Sequence, residues 1–314
     1  MALVRNLLLK ASQSTRLREG ASRYQFIRNS ARRFLPGEDP ASALEAAGKL
    51  AEQGISSLLT HLGENVSNRA DAEAVTTEYW GLLDRIRAAG LPSEISVKLT
   101  HLGLDVDPEI CLANLSKLLA HDQHREAESN HILWIDMEQS PYVDATLEMC
   151  QRARAVNRRI GVCVQAYLYR TEQDIEGLVE SGTAVRLVKG AYNEPAEIAC
   201  PRKRDVDESY FRLTQKLLGS VAQQTGARVA LATHDHSLIE RISAWAQQQG
   251  IRKDQVEFSM LYGIKREEQL RLAREGYRSC VLVSYGVYWF PWFVRRLAER
   301  PANLLFLARN LFSG

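Results

Sequence analysis

Apolar residues fall into two alternating patterns along this chain. Short runs dense in Val, Ile and Leu begin at Gly54 (GISSLLT), Glu94 (EISVKLT), Ile132 (ILWIDME), Ile160 (IGVCVQA), Ala184 (AVRLVKG), Val229 (VALATHD), Val256 (VEFSML) and Ser279 (SCVLVSYG). Near-continuous apolar runs of this length predict parallel strands buried on both faces. The stretches between them carry helical periodicity. A helix is predicted over Ala41–Gln53 after Asp39-Pro40, another over Asp205–Gln224 with acids in its first turn, and a third over Ser237–Gln249, ending at Gly250. Eight strands, each followed by a helix, over about 260 residues predict an α/β fold of the TIM-type (β/α)8 barrel class. A doubly wound open sheet is the alternative, and the absence of GxGxxG after any strand weakens its nucleotide-binding version. The expected organisation is an N-terminal basic helical extension over 1–36, then the barrel with a C-terminal lid helix over 37–314.

Composition narrows the class without deciding it. The 314 residues are 45% hydrophobic and 25% charged, which is globular rather than disordered or fibrous. Forty basic against 38 acidic side chains argue against a dedicated nucleic-acid binder. No apolar run reaches the roughly 18 residues of a bilayer span. Cys111, Cys150, Cys163, Cys200 and Cys280 are scattered, with no CxxC, as in reduced cytoplasmic proteins. Up to Arg33 the chain holds eight basic residues (Arg5, Lys10, Arg16, Arg18, Arg23, Arg28, Arg32 and Arg33) against Glu19 alone. That composition suits a transit peptide or a solvated basic helix. The expectation is the helix, lying peripherally on an anionic inner-membrane surface.

In such a barrel the loops after the strands share one mouth, so function-bearing side chains belong at the strands' carboxyl ends. Polar residues cluster there. Lys98, Thr100 and His101 follow strand two, Asp136-Met137-Glu138 strand three, and Gln165 and Tyr167 strand four. Arg186 and Lys189-Gly190-Ala191-Tyr192 mark strand five, Thr233-His234-Asp235-His236 strand six, and Met260-Leu261-Tyr262-Gly263 strand seven. Ionisable groups in apolar strands are costly unless paired, so their convergence on one mouth points to a ligand. The bland alternative is structural: Lys98 or Arg186 as a buried ion pair with Asp136, Gln165 satisfying loop backbone, Gly190 serving only a turn. A metal centre on His234 and His236, with Asp136 or His101 as third ligand, is a rival reading. Near the C-terminus, Arg295-Arg296 follows an aromatic stretch. It reads either as a snorkelling surface helix or as a lid bringing two guanidinium forks to a carboxylate.

The motifs SVKLTHLGLD, WIDMEQS, CVQAYLYRT, VRLVKGAYNEP, ATHD, FSMLYGI and WFPWFVRRLAERPANL resemble, in order and spacing, the proline dehydrogenase family, particularly its compact single-function bacterial members. The likeness runs from about Arg28 to Asn310. It implies a distorted (β/α)8 barrel holding FAD, oxidation of L-proline to 1-pyrroline-5-carboxylate, and electrons passed to a membrane quinone. Carried over position by position, it implies that Lys98, Arg295 and Arg296 hold the substrate carboxylate and that Leu261 lines the proline ring. It places Asp136 and Arg186 at the family's active-site positions, Arg186 beside the flavin. Met137, Gln165, Lys189, Gly190, Ala191, Thr233 and His234 would contact FAD. No metal is expected. Three positions depart from the family's pattern: Asp235 where asparagine is frequent, and Leu282 and Trp292 where many members carry tyrosine. The last two put discrimination between proline and hydroxyproline in doubt.

Overall fold

The structure, a computed structural model, describes residues 31–122, 131–219 and 224–299, with the backbone alone for 295–299. Eight parallel strands close a barrel in chain order: β1 Ser56–His61, β2 Ser93–Val97, β3 Leu133–Ile135, β4 Ile160–Gln165, β5 Ala184–Val188, β6 Val229–Ala232, β7 Glu257–Leu261 and β8 Arg278–Tyr285. Closure is made by six register pairs between β1 and β8, from Ser56↔Cys280 to His61↔Tyr285. Each apolar run of the sequence supplies one strand, and buried residues fill nearly every strand position, as expected when helices cover the outside.

Helix α1 (Pro40–Ala51) precedes β1, and its start follows from local chemistry. Asp39 caps it by accepting from the Ser42 amide at 2.9 Å, and Pro40 occupies the first turn, where a missing N–H costs nothing. Helices α2 (Arg69–Ala88), α3 (Pro108–Asp122), α4 (Val143–Val156), α5 (Thr171–Glu180), α6 (Lys203–Leu217), α7 (His236–Gln248) and α8 (Arg266–Arg274) follow β1 to β7 in turn. The last helix, α9 (Trp289–Glu299), follows β8. Helix α6 opens two residues before the predicted Asp205, with Arg202 at its N-cap donating to the Asp205 carboxylate at 2.7 Å. The expected N-terminal helix falls mostly outside the described residues.

Alternate strand residues point inward and stack in layers. At the amino-terminal end Glu94 of β2, Arg228 just before β6 and Glu257 of β7 form a buried cluster. Arg228 donates to Glu257 through Nε at 2.9 Å and Nη2 at 3.0 Å, and through Nη1 to Glu94. Glu94 also accepts from the Trp134 indole at 2.7 Å. Above lies an apolar layer of Leu58, Trp134, Ala184, Ala230 and Cys280. Gly161, the register partner of Trp134, makes room for the indole; a Cβ there would lie 2.8 Å from the ring. The next layer, with Ser96, Asp136 and Arg186, opens towards the mouth.

Candidate active site at the carboxyl-terminal mouth

The strand ends bring most of the candidate residues together. Arg186, 4% exposed, reaches past β4 to Asp136 and donates to its Oδ1 through Nη2. Ser96 completes a triangle: its hydroxyl donates to Asp136 Oδ1 at 2.5 Å and accepts from Arg186 Nη2 at 3.0 Å. Beneath, the guanidinium sits 5.6 Å from the centre of the Trp134 ring, whose other neighbour at 5.6 Å is Arg228. Burial opposes the charge on Arg186, but the Asp136 carboxylate beside it holds it protonated.

Lys98, directly after β2, donates to Glu64 Oε2 at 2.6 Å. Glu64 comes from the loop after β1, a residue the sequence reading did not single out. Both side chains are mostly shielded, at 15% and 19% exposure, so the pair stands at the edge of the mouth. Of the two structural pairings open for Asp136, the Arg186 one is formed. Thr100 donates to Glu138 from its hydroxyl (2.8 Å) and amide (3.2 Å), and burial pushes the Glu138 carboxyl up despite these bonds. Gln165 donates from Nε2 to the Glu138 carbonyl at 3.2 Å.

On the far rim Lys189 donates to Asp207 Oδ1 at 2.5 Å and Asp235 Oδ2 at 3.0 Å. The Thr233 hydroxyl accepts from the Asp235 amide at 3.1 Å. His234 accepts the Leu261 amide on Nε2 at 2.9 Å, which ties β6 to β7 and assigns the proton to Nδ1. Gly190 takes φ +108°, and a Cβ there would fall 2.3 Å from the Tyr167 ring, so its role is more than a free turn. Met137 is buried at the mouth and Ala191 is half-buried beside Gly190.

Helix α9 seats on this end. Trp289, Phe290, Trp292, Phe293 and Val294 form one buried cluster with Leu261, Leu62, Leu35 and Ala31, and Trp289 Nε1 donates to Glu38 at 3.0 Å. Arg295 and Arg296 continue this helix, and their side chains lie outside the described residues. Leu282 and Trp292, at the positions of the two expected tyrosines, both pack against this cluster. Ala31 and Leu35, which precede the expected boundary at residue 36, are members of this cluster.

The rival metal centre takes a different shape. His236 opens α7 on the surface and approaches Glu240 and Glu268, not His234 and Asp136. Arg271 already binds both of those carboxylates, at 2.7 and 2.8 Å, and supplies the positive charge a metal would bring.

On the barrel strands β4, β5, β7 and β8, four buried polar atoms lack a hydrogen-bond partner among the described residues: Gln165 Oε1, Arg186 Nη1, Ser259 Oγ and Ser284 Oγ. Such groups are rare in protein interiors and cost roughly 1–3 kcal/mol each when left unsatisfied. All four belong to strands that face the barrel's interior, and such a set fits a polar ligand of many hydrogen-bonding atoms, as FAD is.

The proline dehydrogenase family model matches residues 43–309, nearly all of the chain. This chain belongs to the proline dehydrogenase family. It is 36% identical over 312 residues to proline dehydrogenase 2 of Bacillus subtilis subsp. natto, covering 99% of each chain. The proline dehydrogenase of Deinococcus radiodurans is 35% identical over 291 residues, covering 91% of each. Among solved structures, proline utilization A from Bdellovibrio bacteriovorus, inactivated by N-propargylglycine, superposes with a TM-score of 0.79 at 23% identity over 87% of this chain. The Corynebacterium freiburgense proline utilization A gives 0.71 at 20% identity over 98%. This chain spans 33% and 34% of those two proteins, and the likeness carries the barrel fold. Within the family frame, the functional candidates that the sequence reading missed are Ser96, Glu64 and Asp207. Ser96 was accessible, standing two positions before Lys98 and so on the same inward face.

Proposed function

We propose that this chain oxidises L-proline to 1-pyrroline-5-carboxylate using FAD, with reoxidation by a membrane quinone, as the first step of proline catabolism to glutamate. The observation that carries the reading is the buried Arg186–Asp136 pair at the mouth, with guanidinium Nη1 left without a partner among the described residues, in a chain of this family. FAD, when bound, supplies the two-electron acceptor. Met137, Gln165, Lys189, Gly190, Ala191, Thr233 and His234 would hold it, with Arg186 beside it.

Proline is a small zwitterion, so its site needs cations for the carboxylate and an apolar wall for the ring. Lys98, Arg295 and Arg296 grip the carboxylate by charge-assisted hydrogen bonds, and Leu261 faces the ring. The substrate amine sheds its proton to solvent. Its lone pair then forms the C=N bond as the adjacent C–H bond breaks and the hydride leaves. The residues contribute orientation, holding that carbon within about 3–3.5 Å of its acceptor. Arg186, locked in place by Asp136, Ser96 and the Trp134 face, presents a fixed positive field where electron density accumulates. Asp136 acts by positioning Arg186 and not as a base.

An absorption spectrum of the purified protein tests the reading. Flavin bands that bleach anaerobically on addition of L-proline are expected. A protein that stays colourless after incubation with FAD, and reduces no dye acceptor with L-proline, overturns it. Among the described residues no helix is long and apolar enough to cross a membrane. Quinone access is assigned to the basic N-terminal segment, and liposome co-sedimentation that survives deletion of residues 1–33 removes that assignment.

A further inference from the structure

Four charged side chains close a ring on the rim between β5 and β6. Lys189 bridges Asp207 and Asp235, and Lys203 bridges the same two carboxylates, reaching Asp235 Oδ2 at 3.1 Å and Asp207 Oδ2 at 2.5 Å. Each acid thus serves both ammonium groups, and the ring carries no net charge. Lys189, Asp207 and Asp235 are each 24% exposed, so three of its four members are largely shielded from water.

Asp235 has no local reason to be an acid. It occupies the N-cap of α7, where aspartate ordinarily accepts an amide of the first turn, yet its side chain makes no capping bond. The carboxylate turns to the two lysines instead. Burial works against its charge, but the bonds from Lys189 and Lys203 hold it ionised far below the usual carboxylate range.

We propose that Asp235 sets a low affinity for the flavin diphosphate, by neutralising with Asp207 the lysines that would otherwise attract it. The proposal rests on reading Lys189 as a cofactor residue. An ammonium has three N–H donors, and two of those on Lys189 are committed to carboxylates. A diphosphate approaching it meets one remaining donor and two nearby negative charges. Replacing Asp235 by asparagine keeps the shape and a good N-cap residue, removes one repulsive charge and leaves the ring net positive. Riboflavin, which shares the ring system but carries no phosphate, is indifferent to the change.

The test compares FAD binding to the deflavinated full-length wild type, Asp235→Asn, Asp207→Asn and, as a surface control, Asp254→Asn, by quenching of flavin fluorescence. Asp235→Asn and Asp207→Asn are expected to lower the FAD dissociation constant at least fivefold. That gain should shrink as salt screens the charges, and riboflavin affinity should stay unchanged throughout. Inorganic diphosphate should compete more strongly against the two ring variants than against wild type. An Asp235→Asn protein, folded by thermal melt, that binds FAD no tighter than wild type overturns the proposal, as does an equal gain for riboflavin. A yellow wild type with an unaltered variant removes this inference alone, whereas a wild type that takes up no FAD removes it together with the assigned activity.

Discussion

The two ends of this barrel hold charges of the same kind in opposite states. At the amino-terminal end Arg228 makes a two-pronged bond to Glu257 and a third to Glu94, and Glu94 is filled by Trp134 and the Ile132 amide. Towards the carboxyl-terminal end Arg186 is more deeply buried, but one of its terminal nitrogens, and polar atoms of Gln165, Ser259 and Ser284 on other strands, find no partner among the described residues. Burial of a charge therefore does not by itself mark a working site in this protein. The distinction lies in whether the surrounding atoms complete the charge or leave it open to something else.

Breaking the closed end should cost stability most. Arg228→Met strands Glu94 and Glu257 beside each other in the interior, and about 3–5 kcal/mol is expected to be lost, a shift of roughly a hundredfold to several thousandfold in the folding equilibrium. Urea denaturation reads the loss, and activity per folded molecule should change less than threefold. Breaking the open end should cost chemistry: Arg186→Met is expected to slow anaerobic flavin reduction about a hundredfold in stopped-flow, with substrate affinity changed far less. A normal reduction rate there would erase the functional half of the contrast. Arg295→Ala or Arg296→Ala should raise the KM for L-proline about tenfold, one lost charged hydrogen bond each; unchanged KM in both variants would remove the lid helix from the site.

The smallest effect concerns pH. His101 lies in the loop after β2, with His61 ring-to-ring at 5.1 Å and Lys98 and Glu64 close by. Burial, with the charges of His61 and Lys98, pushes its pKa from 6.5 down to about 3. The unfolded chain takes up this proton before the folded one does, so the contribution to stability is full above 6.5 and drains away as pH falls towards 3. Urea midpoints at pH 7 and pH 5 should fall further apart in wild type than in His101→Asn.

Much of this was legible in the sequence, for reasons that can be named. Strands buried on both faces have to be apolar throughout, so the eight runs stood out, and Asp39-Pro40 and Gly250 marked helix ends by their backbone chemistry. Arg186 and Asp136 were conspicuous as ions inside such runs. Partnership was less legible. Lys98 meets Glu64 because the loop after β1 folds back over β2, and a loop path is not written in periodicity. Glu94 and Arg228 stand at the strands' amino-terminal end, away from the mouth where function-bearing side chains are expected. At this barrel's floor the strand charges are paired with one another. The ring of Lys189, Lys203, Asp207 and Asp235 joins three separate segments, and only the i,i+4 pair Lys203–Asp207 leaves a trace in sequence spacing.

The seam between β1 and β8 has a consequence for how the protein is made. The first strand waits through the synthesis of seven others for its second neighbour, and residues 31–35 wait longer still for Trp289 and Phe293. Until those late residues emerge from the ribosome the mouth has neither its full wall nor its cover. Whatever binds there is captured by a finished chain and takes no part in its early folding, so cells starved of the ligand should accumulate a folded, empty protein and not nascent-chain aggregates.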